Sequence, residues 1–279
     1  MSSQQNRFVS STKLILSVFF LCVFAGCSKP CFKEANSIDQ FIQCAINTDA
    51  DDKRAFKLFL NEAEQGKAES QFKLSWLYEQ GKGVAQDDAK AVEWLSKSAA
   101  QGYASAQYSL GVRYEQGKGV ALDNQKAFDL YSKAAEQGNA DAQYNLGMMF
   151  HDGKSVPQNY EQAMAWFSKA GKQGHVVAQY ILGDMNLELK ENAKAFTWYS
   201  EAAERGFAPA QFKVGMMYQQ GTSVTQDDVL GYLWFNLAAT QNFPDAAKSK
   251  DDLAKKMTPD QINKAQQLTT DWLAKHTSK

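Results

Sequence analysis

Gln107-Tyr108-Ser109-Leu110-Gly111, then Tyr114-Glu115-Gln116-Gly117-Lys118-Gly119-Val120, Lys126-Ala127, Tyr131 and Lys133-Ala134-Ala135-Glu136-Gln137-Gly138: this stretch decides the fold, because it recurs. Its closing glycine stands at Gly66, Gly102, Gly138 and Gly174, always 36 residues apart, and again at Gly206 after a step of 32. The opening glutamine keeps the same rhythm at Gln71, Gln107, Gln143, Gln179 and Gln211. A fixed period in the range of about 20–50 residues is the mark of a solenoid, in which each unit contacts only its neighbours. The repeats therefore argue for one elongated body rather than separate globular domains.

Each copy reads as helix, loop, helix. In residues 67–102 the spacing predicts a first helix over about Ala68–Gln80 and a second over about Asp88–Gln101. Gly81 and Gly83 between them can take the positive φ that ends a helix. Asp87, Asp123, Asn159 and Asp227 stand where second helices begin, each a good N-cap. At 100° per residue, the column Ser70, Ala106, Ala142, Ala178, Ala210 lies on one side of the first helices, with a second small column at Ser75, Gly111, Gly147, Gly183, Gly215. Columns without bulk let helices approach closely. Aromatic filling comes from the second helices, as at Trp94 or Trp166-Phe167, and reads as core rather than as a cofactor box.

The pattern Leu-Gly-x-x-Tyr-x-x-Gly-x-Gly-Val, with Lys-Ala and Ala-Ala-x-x-Gly behind it, resembles the Sel-1-like repeat, a relative of the tetratricopeptide repeat. The resemblance covers about residues 54–257. It implies an all-α fold, a right-handed α-α superhelical solenoid of hairpins with a C-terminal capping helix, whose concave surface holds other proteins. The expected organisation is residues 1–26 as a lipoprotein signal peptide, 27–52 as an arm and first helix, and 53–66 as a half-repeat. Residues 67–242 form five repeats and 243–279 the capping helices. Ser37 and Gln40 suit a capping box for the first helix, and Thr258, Pro259 and Gln261 do the same for the last. Leu268, Trp272 and Leu273 on that last helix are expected to cover the open end of the stack. The fourth repeat departs from the others: Leu187-Glu188-Leu189-Lys190-Glu191-Asn192 replaces the glycine loop, and Asn186 stands in the aromatic column. Its hairpin must be tighter, and either the stack bends there or this repeat is its weak point.

The N-terminus carries a second signal. Arg7 and Lys13 precede an apolar run, Leu14 to Phe24, of about 11 residues, long enough for a signal-peptide core and short of the roughly 20 needed to span a bilayer. It ends Phe24-Ala25-Gly26-Cys27, which resembles the bacterial lipobox, with Phe24 departing from its usual aliphatic residue. That resemblance implies lipidation at Cys27, and Ser28 after it implies the outer membrane. An ordinary secretory signal is the alternative. Cys31 and Cys44 remain after processing; in an oxidising envelope they could pair, or both stand as free thiols.

Charge is balanced, with 30 Lys and Arg against 31 Asp and Glu, and no basic run marks a nucleic-acid partner. His151, His175 and His276 lack metal-ligand spacing, no cofactor is expected, and His151 and His175 read as solvated surface residues. Ser70-Gln71-Phe72-Lys73 matches the Ser-x-x-Lys spacing of penicillin-recognising enzymes. Against that reading, Ser70 fills the small column, and neither Ser-Asp-Asn nor Lys-Thr-Gly accompanies it.

A partner surface is the better candidate. Opposite the packed side of the first helices runs the column Trp76, Val112, Met148, Asp184, Met216, flanked by Lys73, Ser109, Asn145, Ile181 and Lys213. An apolar stripe rimmed by polar groups suits a binding groove, and methionine adapts to varied partners. The alternative is that packing buries the column. The leading reading is a non-enzymatic, lipid-anchored scaffold of the bacterial envelope, facing the periplasm and binding an envelope protein or peptide on this groove. A β-lactam-binding protein and a secreted host-interaction factor are the alternatives.

Overall fold

The computed structural model describes residues 49–277. The signal segment, Cys27, Cys31, Cys44 and the capping box at Ser37 lie outside them. Thirteen α-helices and no strands occur among the described residues. They are α1 Asp49–Glu64, α2 Ala68–Gln80, α3 Asp88–Ala100, α4 Ala104–Gln116, α5 Asn124–Glu136, α6 Ala140–Asp152 and α7 Tyr160–Lys172. Then follow α8 Val176–Glu188, α9 Asn192–Glu204, α10 Ala208–Gln220, α11 Asp228–Thr240, α12 Ala246–Ala254 and α13 Pro259–Thr277. The helices gather into two compact units, divided after Asp123 between α4 and α5.

In the first unit, α1 supplies the missing half-repeat, beginning four residues earlier than the expected boundary at residue 53. Ala55, Phe59 and Ala63 from it join Leu74, Leu77, Tyr78 and Ala91 in one buried cluster. In the second unit, successive pairs bury Ala163, Phe167 and Leu182, then Tyr199, Val214 and Leu237. The small column is buried throughout, from Ser70 at 5% exposure to Ala106, Ala142, Ala178 and Ala210 at 0%. The glycine column is tighter still. A Cβ on Gly147 would stand 2.7 Å from the Phe167 ring, and one on Gly183 would collide with the Tyr199 ring.

The recurring glutamine, whose rhythm is plain in the sequence, acquires a reason here. Gln71 is buried, and its Nε2 donates to the Ala63 carbonyl in the last turn of the preceding helix at 3.1 Å. Gln107 to Ala99, Gln143 to Ala135, Gln179 to Gly171 and Gln211 to Ala203 repeat the bond at 2.8–3.3 Å. A helix C-terminus leaves carbonyls unsatisfied, and each of these buried amides takes one of them.

Hairpin closure also follows a rule. The N-cap of each second helix donates its backbone N–H to the aromatic-column carbonyl: Asp87 to Tyr78 at 3.0 Å, Asn159 to Phe150 at 2.8 Å, Asp227 to Tyr218 at 3.1 Å. The Asp87, Asn159 and Asp227 side chains in turn accept from the N–H three residues on. In the fourth repeat Glu191 donates to Asn186 at 2.8 Å, so the same closure is made with four fewer residues. Lys190 takes a φ of 60° to do it, and Leu189 is left 59% exposed. The tighter hairpin expected from the sequence is what forms.

At the C-terminus the capping box is made: the Thr258 N–H donates to Gln261 Oε1 at 2.8 Å and the Gln261 N–H to Thr258 Oγ1 at 3.3 Å. The helix it starts does more than cover the end. Ile262 and Ala265 pack with α11 and α12, while Leu268, Trp272 and Leu273 run back over the cluster formed by α9, α10 and α11. Its 19 residues reach about 28 Å, enough to cross two helix pairs. Trp272 meets Trp234 edge-on at 6.3 Å between centroids, and its Nε1 donates to Glu204 of α9 at 3.0 Å.

Candidate functional site

The proposed contact column is set by helical register on the first helix of each pair. In the first unit Trp76 and Val112 are half-buried; Trp76 packs on the α1–α2 cluster with Lys82 Nζ 5.0 Å over its ring. In the second unit Met148, Met216 and the flanking Asn145 are also half-buried. Met148 lies against the Phe167 cluster and Met216 against the α11–α12 cluster. The column expected to meet water is thus shared between packing and surface. Lys73, expected on the outward flank, is buried at 8% exposure. The reason is α1: Lys73 Nζ sits 5.3 Å over the Phe59 ring and pairs with Glu69 at 2.7 Å.

Asp184, the polar member of the column, is the centre of a polar cluster that sequence reasoning missed. Its Oδ1 accepts from the Tyr199 hydroxyl at 2.5 Å and from Lys213 Nζ at 3.0 Å. Lys213 also stands 5.9 Å from the Tyr180 ring centroid and 5.7 Å from that of Tyr199. Burial raises the Tyr199 phenol far above its ordinary range, and the hydrogen bond to Asp184 adds to it. Burial raises Tyr180 as well, with the Asp184 charge next. The signal was present in the sequence. Where the other first-helix columns carry an apolar residue, position 184 carries a carboxylate, and the second helix of the same repeat brings a hydroxyl at Tyr199. Both phenols stay protonated donors at physiological pH.

The five repeats match the family model described as Sel1 repeat, over residues 68–103, 104–139, 140–175, 176–207 and 208–243. The chain belongs to the Sel1 repeat family. Among solved structures it is similar to a Sel1 repeat protein from Oxalobacter formigenes, 25% identical, with a TM-score of 0.63 over 87% of this chain and 92% of that one. It is also similar to a protective antigen present in uropathogenic Escherichia coli strains and displaying an SLR fold, at 29% identity and a TM-score of 0.54. That match covers 81% of this chain, which spans 57% of the antigen's length. No curated protein matches. Sel1 repeats are in general protein-interaction folds, and the all-helical architecture expected of a Sel1 solenoid is the one found.

Other residues singled out in the Sel1 sequence have local roles. Ser70 Oγ donates to Glu62 at 2.7 Å while Lys73 pairs with Glu69, so the Ser-x-x-Lys residues have separate carboxylate partners. Glu62 is lowered below its ordinary value, chiefly by its hydrogen bond from Lys67 and then by that from Ser70. His151 bonds Asp152 at 2.6 Å. His175, expected as a solvated residue, is instead the N-cap of α8: its Nδ1 accepts from the Ala178 N–H at 3.1 Å and its ring stacks on Tyr144 at 4.6 Å. Burial lowers its pKa, partly opposed by the charge of Asp141. Among the described residues no group of acidic, histidine or cysteine side chains could hold a metal, and no helix is long and apolar enough to cross a membrane.

Proposed function

We propose that this Sel1 repeat chain is a non-enzymatic adaptor of the bacterial envelope, tethered to the outer membrane through a lipid on Cys27. In this reading it faces the periplasm and presents the first-helix faces of its repeats to an envelope protein or peptide. The observation that carries the adaptor reading is the five tandem Sel1 repeats, a protein-interaction architecture. Supporting it, the face of the second unit offers half-buried Met148, Ile181 and Met216 around the polar group at Asp184 and Lys213. Adaptable apolar side chains beside one oriented polar pair give both area and register to an extended segment.

Two measurements test the reading separately. Replacing Cys27 by Ala is expected to move the protein from the membrane fraction to the soluble periplasm; unchanged partition refutes the anchor. Met148→Glu with Met216→Glu is expected to abolish recovery of the partner crosslinked in intact cells. Because both methionines are half-buried, some loss of melting temperature comes with it. Collapse of the fold would instead assign the column to the core.

A further inference from the structure

Charge on the first helices of the second unit is one-sided. Together α6, α8 and α10 carry four carboxylates, Asp141, Asp152, Asp184 and Glu188, against a single lysine or arginine, Lys213. The whole chain has a formal charge of only −1, so this is no general acidity. Lys213 is already paired with Asp184 at 3.0 Å. Asp141, Asp152 and Glu188 are exposed, and among the described residues none of them pairs with a lysine or arginine. Lys190, in the loop beyond Glu188, is exposed as well. All three lie along the contact column: at 100° per residue Asp141 and Asp152 fall close to Met148, and Glu188 close to Asp184. The half-buried Tyr144 phenol between Asp141 and Asp152 is raised above its ordinary value by burial and then by the Asp152 charge.

Two of these carboxylates stand where their own helices disfavour them. Asp152 and Glu188 are the last residues of α6 and α8, at the negative end of the helix dipole, where an anion is destabilising and a cation is welcome. The other first helices, α2, α4 and α10, end in the neutral Gln80, Gln116 and Gln220. Leu187 and Leu189, on either side of Glu188, are among the few large apolar side chains left exposed, at 37% and 59%. Where the other repeats show a polar residue in the Leu187 column (Glu79, Glu115, His151 and Gln219), the fourth shows an apolar one. Apolar surface beside carboxylates placed against local stability matches a partner that is both apolar and positively charged.

From these placements we infer that the first-helix face of the second unit takes a cationic polypeptide segment, with lysine or arginine set among apolar side chains. The inference rests on the adaptor reading above and adds the chemistry of the partner. Apolar side chains of the segment meet Met148, Ile181 and Met216, and its cations meet Asp152 and Glu188. An exposed ion pair adds little affinity, so the carboxylates steer and select the segment while the apolar column holds it. The same charges repel an acidic segment.

The test is a titration of the protein, read by fluorescence anisotropy, with a labelled heptapeptide of sequence Ala-Lys-Leu-Ala-Lys-Leu-Ala. Saturable binding is expected, weakened about tenfold when glutamate replaces the lysines and about as much when serine replaces the leucines. Asp152→Gln with Glu188→Gln gives both helices the ending of the other repeats. It should weaken binding of the lysine peptide about fivefold at low ionic strength, a difference that added salt removes. The same double variant should raise Tm by about 2 °C, because two anions leave helix C-termini. If the glutamate peptide binds as well as the lysine peptide, or the double variant keeps full binding, the inference fails. A lower Tm overturns it too, since the carboxylates then serve the fold. Recovery of the partner crosslinked in intact cells separates this failure from that of the adaptor reading. Loss of recovery with Met148→Gln and Met216→Gln, but not with the carboxylate variant, keeps the face and removes the basic partner. Loss with neither removes the face itself.

Discussion

The third and fourth repeats, residues 140–175 and 176–207, occupy neighbouring places in one unit and solve the same packing problem with different side chains. In the third, Phe150 closes the hairpin and meets Phe128 edge-on at 5.7 Å; Phe167 fills the space over Gly147, and Met148 holds the outward column. In the fourth, Asn186 takes the place of Phe150, and Met164 stands where Phe128 does. Asn186 is buried all the same and returns its Nδ2 to the Leu182 carbonyl at 2.7 Å. Over Gly183 the ring is Tyr199, tied by its hydroxyl to Asp184. Apolar contacts tolerate substitution where volume is kept, whereas a buried hydroxyl and its acceptor must change together. The fourth repeat has exchanged adjustable packing for directed bonds.

That contrast can be broken at its tightest point first. Gly183→Ala places a Cβ against a ring held by its own hydrogen bond, whereas the Phe167 ring over Gly147 has no such tether. Gly183→Ala is expected to cost about 3 kcal/mol and Gly147→Ala about 1 kcal/mol by denaturant unfolding. Equal costs would show that the Asp184 bond does not hold the ring.

A smaller effect comes from the polar pair. Tyr199→Phe alone should cost about 1–2 kcal/mol, and Asp184→Met alone as much or more, because it leaves the phenol buried without an acceptor. The double change copies the third repeat and should cost less than the sum, by a coupling of about 1 kcal/mol in a double-mutant cycle. Additive costs would mean the two residues act apart. Restoring the edge-on pair with Met164→Phe and Asn186→Tyr is expected to gain no more than about 1 kcal/mol, read as a shift in Tm, and less if the shortened loop cannot seat the ring.

The turn that joins the two repeats sharpens the comparison through pH. His175 caps α8 through an unprotonated Nδ1, and burial lowers its pKa below the ordinary 6.5. The unfolded chain therefore binds the proton first, and stability falls as pH drops through about 6.5, levelling off below the lowered folded value. Asn139 caps α6 at the equivalent place through an amide oxygen at 2.8 Å and carries no such dependence. His175→Asn should keep the cap and remove the dependence, while His175→Ala should cost about 1 kcal/mol at neutral pH. Thermal melts from pH 5 to 8 decide it.

Most of the architecture was legible because repetition averages out local ambiguity. Helix ends came within a residue or so, since Asp87 and Asp227 are caps and Gly81 and Gly117 sit in the left-handed region that ends a helix. The candidate site was less legible. Angles along one helix place Lys73 outward, but α1 lies over it, and a helical wheel contains no second helix. The same limit applies to His175, whose cap geometry needs the turn's backbone, and to the path of α13 back to Glu204, a contact across 68 residues.

Sequence alone determined the period, the hairpins, their caps and the small residues where helices meet, because these depend on backbone chemistry that recurs in every copy. Only the tertiary structure decided which polar groups find partners. The Gln71 carboxamide and Asp184 take their meaning from atoms delivered by other helices. Hydrogen bonding is short-ranged and directional, so it is settled by where separate elements come to rest rather than by spacing along one of them.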